Sequence, residues 1–193
     1  MSDPELIEGI LRRDRNAFQY LVDTYQKQVI KTANYFIGNM EDAEDLSQEI
    51  FMEIIDSLAR FKQSSALSTW IYRITVNRSL NVVKKNRRNG IFTRIERLAG
   101  PKDENRSYPQ GKLPVTEPVL EEGENRKLLY DAISRLSENQ RVAFVLHKFD
   151  DLPYKEIALI MGVSLSSVES LIHRAKKNLQ KRLIHHFSDY SKN

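Results

Sequence analysis

Two neighbouring stretches of the chain carry charge of opposite sign at helical spacing. Asp42, Asp45, Glu49, Glu53 and Asp56 recur at intervals of three and four, so at about 100° per residue they share one narrow sector of a helix. Ala43, Leu46, Ile50, Phe51, Ile54, Ile55 and Leu58 cover the opposite side and form a core face. The segment Glu41 to Asp56 holds seven acids and no base, so i,i+4 ion pairs cannot relieve its repulsion. Most charge runs are solvated faces. Unbroken single-sign charge in a chain of otherwise mixed surface points instead to docking of a basic partner.

The stretch Arg73 to Arg88 is the reverse: it carries Arg73, Arg78, Lys84, Lys85, Arg87 and Arg88 and no acid. On a helical wheel Trp70, Arg73, Asn77, Asn81, Lys84 and Arg88 share one side, with Ile71, Thr75, Val76, Val82 and Val83 on the other. Cations neutralise phosphates, amides read base edges and aromatic faces stack on unpaired bases. Trp70 suits stacking and core packing equally, whereas Tyr72 falls on the apolar side. Between the two stretches, residues Phe61, Lys62, Gln63, Ser64, Ser65, Ala66 and Leu67 form a short loop able to present a pocket to one extruded base.

A third constellation lies at 154–168. Small Ala158 allows close helix approach, Gly162 makes a turn and Val168 closes the contact, which is the spacing of a helix-turn-helix. Val168, Leu171, Ile172, Ala175 and Leu179 form the buried stripe of its second helix. Ser167, Glu169, Ser170, His173, Arg174 and Lys177 then face outward, toward a major groove. Arg174, Lys176, Lys177, Lys181 and Arg182 make this end cationic, which favours DNA over an ordinary helical hairpin.

No catalytic set emerges. The chain has no Cys, no phosphate-binding loop and no nucleophile beside a base, and His173 lacks companions at ligand spacing. Asp42, Asp45 and Glu49 as hard-metal ligands would define an enzyme, a reading weakened by missing His partners. The expectation is therefore no enzyme, no metal and no cofactor.

The elements that must position these residues are helical throughout. At 193 residues and 40% hydrophobic content the chain can bury a core, in one ordinary domain or two small ones. A net charge of +4 is by itself a weak pointer to nucleic acid. Four of the six prolines and four of the seven glycines fall between Gly90 and Gly123, a stretch without sustained apolar period. The pattern predicts an all-α chain of two helical domains: 1–90, a flexible linker over 91–123 that could fold locally near Ile91 to Leu98, and a helix-turn-helix domain over 124–193. Helices are expected over Pro4 to Arg12, Asn16 to Ile37, Glu41 to Arg60 and Thr69 to Arg88, then Arg126 to Leu136, Glu138 to Phe149, Tyr154 to Met161 and Ser166 to Leu183. Ser137 and Gln140 have capping-box spacing. The lack of Cys fits a reducing compartment, and neither an export signal nor a run of 18 apolar residues is found, so a cytoplasmic protein without membrane insertion is expected.

In this order the parts resemble the extracytoplasmic-function sigma factors, the two-domain members of the main bacterial sigma family. DAEDLSQEIFMEI at 42–54 is similar to that family's polymerase-binding helix, STWIYRITVNRSLNVVKK at 68–85 to its promoter-melting and −10 helix, and 138–180 to its −35 domain. The resemblance implies that Asp45, Gln48 and Glu49, with Asp42 and Glu53 on the same helix, meet the β′ clamp helices of core RNA polymerase. It implies that the Phe61 to Leu67 loop holds a flipped −10 base and that Asn77, Asn81, Lys84 and Lys85 follow the melted strand. Ser166, Ser167, Ser170, His173 and Arg174 would meet the −35 duplex, the linker would thread toward the RNA exit path, and the β flap and an anti-sigma factor would be further partners. Glu169 stands where a basic residue is usual and Leu171 where arginine is usual, so the docking mode is implied but not the −35 sequence preference.

Energetics also require a partner. Separating ~10 base pairs costs on the order of 14 kcal/mol, while capturing one or two bases returns ~2 to 6 kcal/mol. The expected function is thus promoter-specific initiation together with polymerase. A two-domain helix-turn-helix regulator acting without polymerase is the second reading, and it has no use for the acidic stripe or the Trp70 to Arg88 face.

Overall fold

The computed structural model describes residues 1–63, 65–99 and 128–190, with the backbone alone at 87, 89–99 and 185–190. Ser64 and most of the expected linker lie outside the described residues. Every regular element among those described is helical.

Helix α1 (Asp3–Leu11) opens with acids in its first turn, and the Glu5 carboxylate accepts a hydrogen bond from the Ser2 backbone N–H at 2.8 Å, which holds its pKa below the usual carboxylate range. A tight turn follows. The Asp14 side chain caps α2 (Arg15–Ile37) by accepting from Asn16 N–H at 2.8 Å. Gly9 permits this turn, since a Cβ there would stand 2.7 Å from that of Ala17. Gly38, at φ +76°, ends α2 in the left-handed conformation that glycine adopts without cost. Asn39 then caps α3 (Met40–Ser57), accepting from Glu41 N–H at 3.0 Å. A short 3-10 turn, Leu58–Arg60, leads into the loop before α4 (Leu67–Ala99).

Leu6, Leu21, Ile50, Ile54, Leu58, Leu67 and Ile71 are almost wholly buried among α1 to α4, each burial stabilising by roughly 1.5–3 kcal/mol. The apolar stripe expected on α3 is this core.

Helix α4 departs from the expected single apolar face. Ile71, Ile74 and Val82 pack into the N-terminal core, while Tyr72, Val76, Leu80 and Val83 join a second core with the C-terminal half. Thr75 and Ser79 are wholly buried between the two. Their hydroxyls donate to the carbonyls of Ile71 and Thr75 at 2.9 and 2.7 Å, so no hydroxyl is stranded. The backbone also continues past Arg88 and across Gly90 to Ala99; a lone glycine costs a helix only about 1 kcal/mol, and Ile91 to Leu98 are mostly good helix formers.

The C-terminal half comprises a helix over 128–134 (α5), α6 (Glu138–Lys148), α7 (Tyr154–Met161) and α8 (Leu165–Tyr190). Ser137 occupies the N-cap position of α6, but its side chain makes no capping bond, contrary to the expected capping box. Gln140 instead accepts from Asn178 of α8 at 3.0 Å, so tertiary contact outcompetes the local box.

Replacing Gly9 with Val should force α1 from α2 and cost about 1–3 kcal/mol. Urea unfolding should report it as a lower midpoint at unchanged slope.

Candidate docking and nucleic-acid interfaces

On α3 the acids stand where the wheel put them. Asp42, Asp45, Gln48, Glu49 and Asp56 are exposed. Glu53 differs: it is half-buried and forms an ion pair with Arg78 of α4, relief from outside the helix that spacing alone could not reveal. The stripe borders an open cleft of about 640 Å³ between α3 and α4, with Met52, Trp70 and Ile74 as its apolar part and Glu49, Glu53, Asp56, Arg60 and Arg78 as its charged part. Met52 is 66% exposed. Sequence reasoning overlooked it because a lone methionine among acids breaks no pattern. Asp42, Asp45 and Glu49 follow one another along the exposed stripe, and among the described residues no group of three or more His or carboxylate side chains converges as a metal site would require.

The loop before α4 is anchored at both ends. The Asp3 carboxylate accepts from Leu67 N–H at 3.1 Å and caps α4 from 64 residues away in the sequence. Phe61 packs against Trp70 with ring centroids 4.9 Å apart, tilted by 34°. Trp70 therefore supports the loop, packs against the N-terminal core and also lines the cleft. Lys62 and Gln63 are exposed at the loop tip, and Gln63 adopts the left-handed conformation at φ +52°.

Along α4, Asn77, Asn81, Lys84, Lys85 and Arg88 are exposed. Two cations of this face are engaged across the chain. Arg73 donates from Nε to the Leu159 carbonyl at 3.1 Å, and Lys84 Nζ meets Glu138 at 2.9 Å. Tyr72 is buried as expected; desolvation, reinforced by Asp150 and Glu156, pushes its hydroxyl pKa far up and keeps it neutral.

Helices α7 and α8 meet at 101°, within the range of a helix-turn-helix. Gly162, at φ +66°, makes the turn, and Val163 N–H donates to the Ala158 carbonyl at 3.1 Å. Val168, Ile172, Ala175 and Leu179 are buried as expected. Ser166, Ser170, His173, Arg174 and Lys177 are exposed on the outer face. Ser167 is half-buried and turned to the helix start: its N–H donates to Ser164 Oγ at 3.2 Å. Ser164 is thus the cap of the recognition helix, a role sequence reasoning did not assign.

Two consecutive families match this chain: Sigma-70 region 2 over residues 21–89 and Sigma-70 region 4 over residues 126–179, together more than half its length. The chain belongs to the sigma-70 family. Within it, the likeness is to the extracytoplasmic-function type. The RNA polymerase sigma-H factor of Pseudomonas aeruginosa is 29% identical over 192 residues, covering 94% of this chain and 93% of that one. The ECF RNA polymerase sigma-E factor of Escherichia coli K12 is 28% identical over 183 residues, with 95% of each chain covered. In fold, the sigma factor resembles CnrH, solved with the cytosolic domain of CnrY, at a TM-score of 0.65 and 19% identity over 95% of this chain and 97% of that one. RpoE from Bartonella quintana, solved with the anti-sigma factor NepR, gives 0.57 and 20% over 86% and 96%. The helix-turn-helix belongs to region 4, and α3, the loop and α4 as far as residue 89 fall within region 2.

Removing the Asp3 carboxylate with Asp3→Ala should free the α4 N-terminus and cost about 1 kcal/mol. Amide hydrogen exchange at Leu67 to Trp70 should rise while α8 stays unchanged.

Proposed function

We propose that this sigma factor, which directs transcription initiation by RNA polymerase, divides its work between residues 1–90 and 124–193, joined by the linker 91–123. The carrying observation is the segregation of charge on adjacent helices: exposed acids along α3, exposed cations and amides along α4. Asp42, Asp45, Gln48, Glu49 and Glu53 dock the β′ clamp helices of core polymerase, with Met52 as the apolar centre of the contact. A central apolar contact ringed by charge is how energy concentrates in such interfaces.

Phe61, Lys62, Ser64, Trp70, Arg73, Asn77, Asn81, Lys84, Lys85 and Arg88 serve the melted −10 strand. Cations hold its phosphates, the amides meet base edges and the loop receives one flipped base. Ser166, Ser170, His173, Arg174 and Lys177 face the −35 duplex, and Ser167 contributes by setting the start of the recognition helix. Region 4 also contacts the β flap. The chain works without catalytic residue, metal or cofactor, in the cytoplasm; among the described residues no single helix is long and apolar enough to cross a membrane. An anti-sigma factor is a further partner, in keeping with the complex of the Bartonella quintana neighbour.

Reversing two charges with Asp45→Lys and Glu49→Lys should weaken binding to core polymerase by about 2 kcal/mol or more, roughly 30-fold in Kd, with thermal unfolding unchanged. Fluorescence anisotropy with labelled sigma factor would measure this, and undiminished binding would refute the docking assignment.

A further inference from the structure

From Leu165 to Ile184, α8 carries the cations Arg174, Lys176, Lys177, Lys181 and Arg182 but a single acid, Glu169. That acid occupies the second turn, and recognition helices of this motif meet base edges with their N-terminal turns. Glu169 is exposed, and the side chains beside it on the face, Ser166 and Ser170, are exposed and short. It is thus the first long polar side chain of the outward face. Nothing on the helix neutralises it. Positions three and four away hold Leu165, Ser166, Ile172 and His173, and among the described residues Glu169 makes no ion pair. Arg174 lies about 140° away round the helix. Its Nε donates to the Ser170 carbonyl at 3.1 Å, which keeps it on the opposite edge of the face.

An unpaired carboxylate brought to a duplex meets phosphates of its own sign, a cost that only a donor within the groove offsets. The chemistry of the major groove selects which base supplies it. An ionised carboxylate accepts hydrogen bonds and donates none. Guanine presents N7 and O6, and thymine presents O4, all acceptors that repel it. Adenine offers its N6 amine with the acceptor N7 alongside. Cytosine offers its N4 amine with no acceptor on its own edge, so it is the base that a lone acid fits.

We propose that Glu169 is a specificity-determining residue of this sigma factor, which accepts from the N4 amine of one cytosine in the −35 duplex and excludes thymine and guanine there. The inference rests on the placement of the recognition helix given above. Arg174 addresses a different base pair, since five residues put about 7.5 Å of helix between the two, roughly two base steps. Glu169 exchanges affinity for selectivity: its charge weakens binding to every duplex, and least to one with cytosine in reach.

The test uses the full chain assembled with core polymerase, on a promoter fragment from which that enzyme initiates, randomised through its upstream block. Bound fragments are sequenced. The unsubstituted chain should enrich cytosine at one position by roughly 10-fold over thymine. Glu169→Ala should level that position, and Glu169→Gln should move it toward adenine, whose N6 and N7 an amide meets together. Both should leave the other positions and thermal unfolding unchanged. Fragments without the cytosine should bind the Glu169→Ala variant more tightly than the unsubstituted chain, since a repelling charge is gone. N4-methylcytosine at the selected position, which occupies the donor in the groove, should weaken binding of the unsubstituted chain roughly 10-fold and leave the Glu169→Ala variant indifferent. Cytosine still enriched with Glu169→Ala, or no penalty for the N4-methyl group, would overturn the assignment to Glu169. Arg174→Ala separates this from the placement itself, because it should level a second position. If neither it nor Glu169→Ala alters any position of the upstream block, the placement of the recognition helix falls together with the inference.

Discussion

Helix α4 is buried along two flanks, and that constraint organises the molecule. One flank closes the N-terminal core through Ile71 and Ile74; the other meets the C-terminal half through Tyr72, Val76 and Leu80. What remains is a narrow solvent-facing strip bearing Asn77, Asn81, Lys84, Lys85 and Arg88. A helix held on both sides is a rigid rail, and groups on a rail lose little entropy on meeting a ligand. The same burial fixes the loop ahead of α4, because Asp3 caps Leu67 and Trp70 packs on Phe61.

Charge segregation follows from this packing. Helix α3 turns its apolar face to the core and its acids outward, and among the described residues Glu53 finds relief in its pair with Arg78. The remaining repulsion is a standing cost that a basic partner would remove. Adjacent α4 carries the opposite sign, so one small domain presents neighbouring surfaces of opposite charge. The strand-separation energy exceeds what a few captured bases return, which is why a sigma factor acts with its polymerase.

Much of this was legible in the residues. The acids of α3, the stripe Val168, Ile172, Ala175 and Leu179, and the turn at Gly162 follow from period and glycine chemistry, and the structure has them in the expected places. What escaped was tertiary. The second apolar flank of α4 was hidden because burial on two sides flattens the amphipathic signal that a wheel detects. The Ser137 and Gln140 spacing suggested a local box, yet Gln140 found Asn178. The Asp3 cap and the engagement of Arg73 and Lys84 join residues far apart in sequence, where no spacing rule operates.

Transcription reconstituted from purified core polymerase, this sigma factor and genomic DNA fragments, with transcript 5′ ends mapped, tests the central claim most directly. Discrete new start sites should appear only when the chain is added, preceded by two shared sequence blocks at constant separation. The same starts with core enzyme alone, or none at all with the chain present, would contradict it.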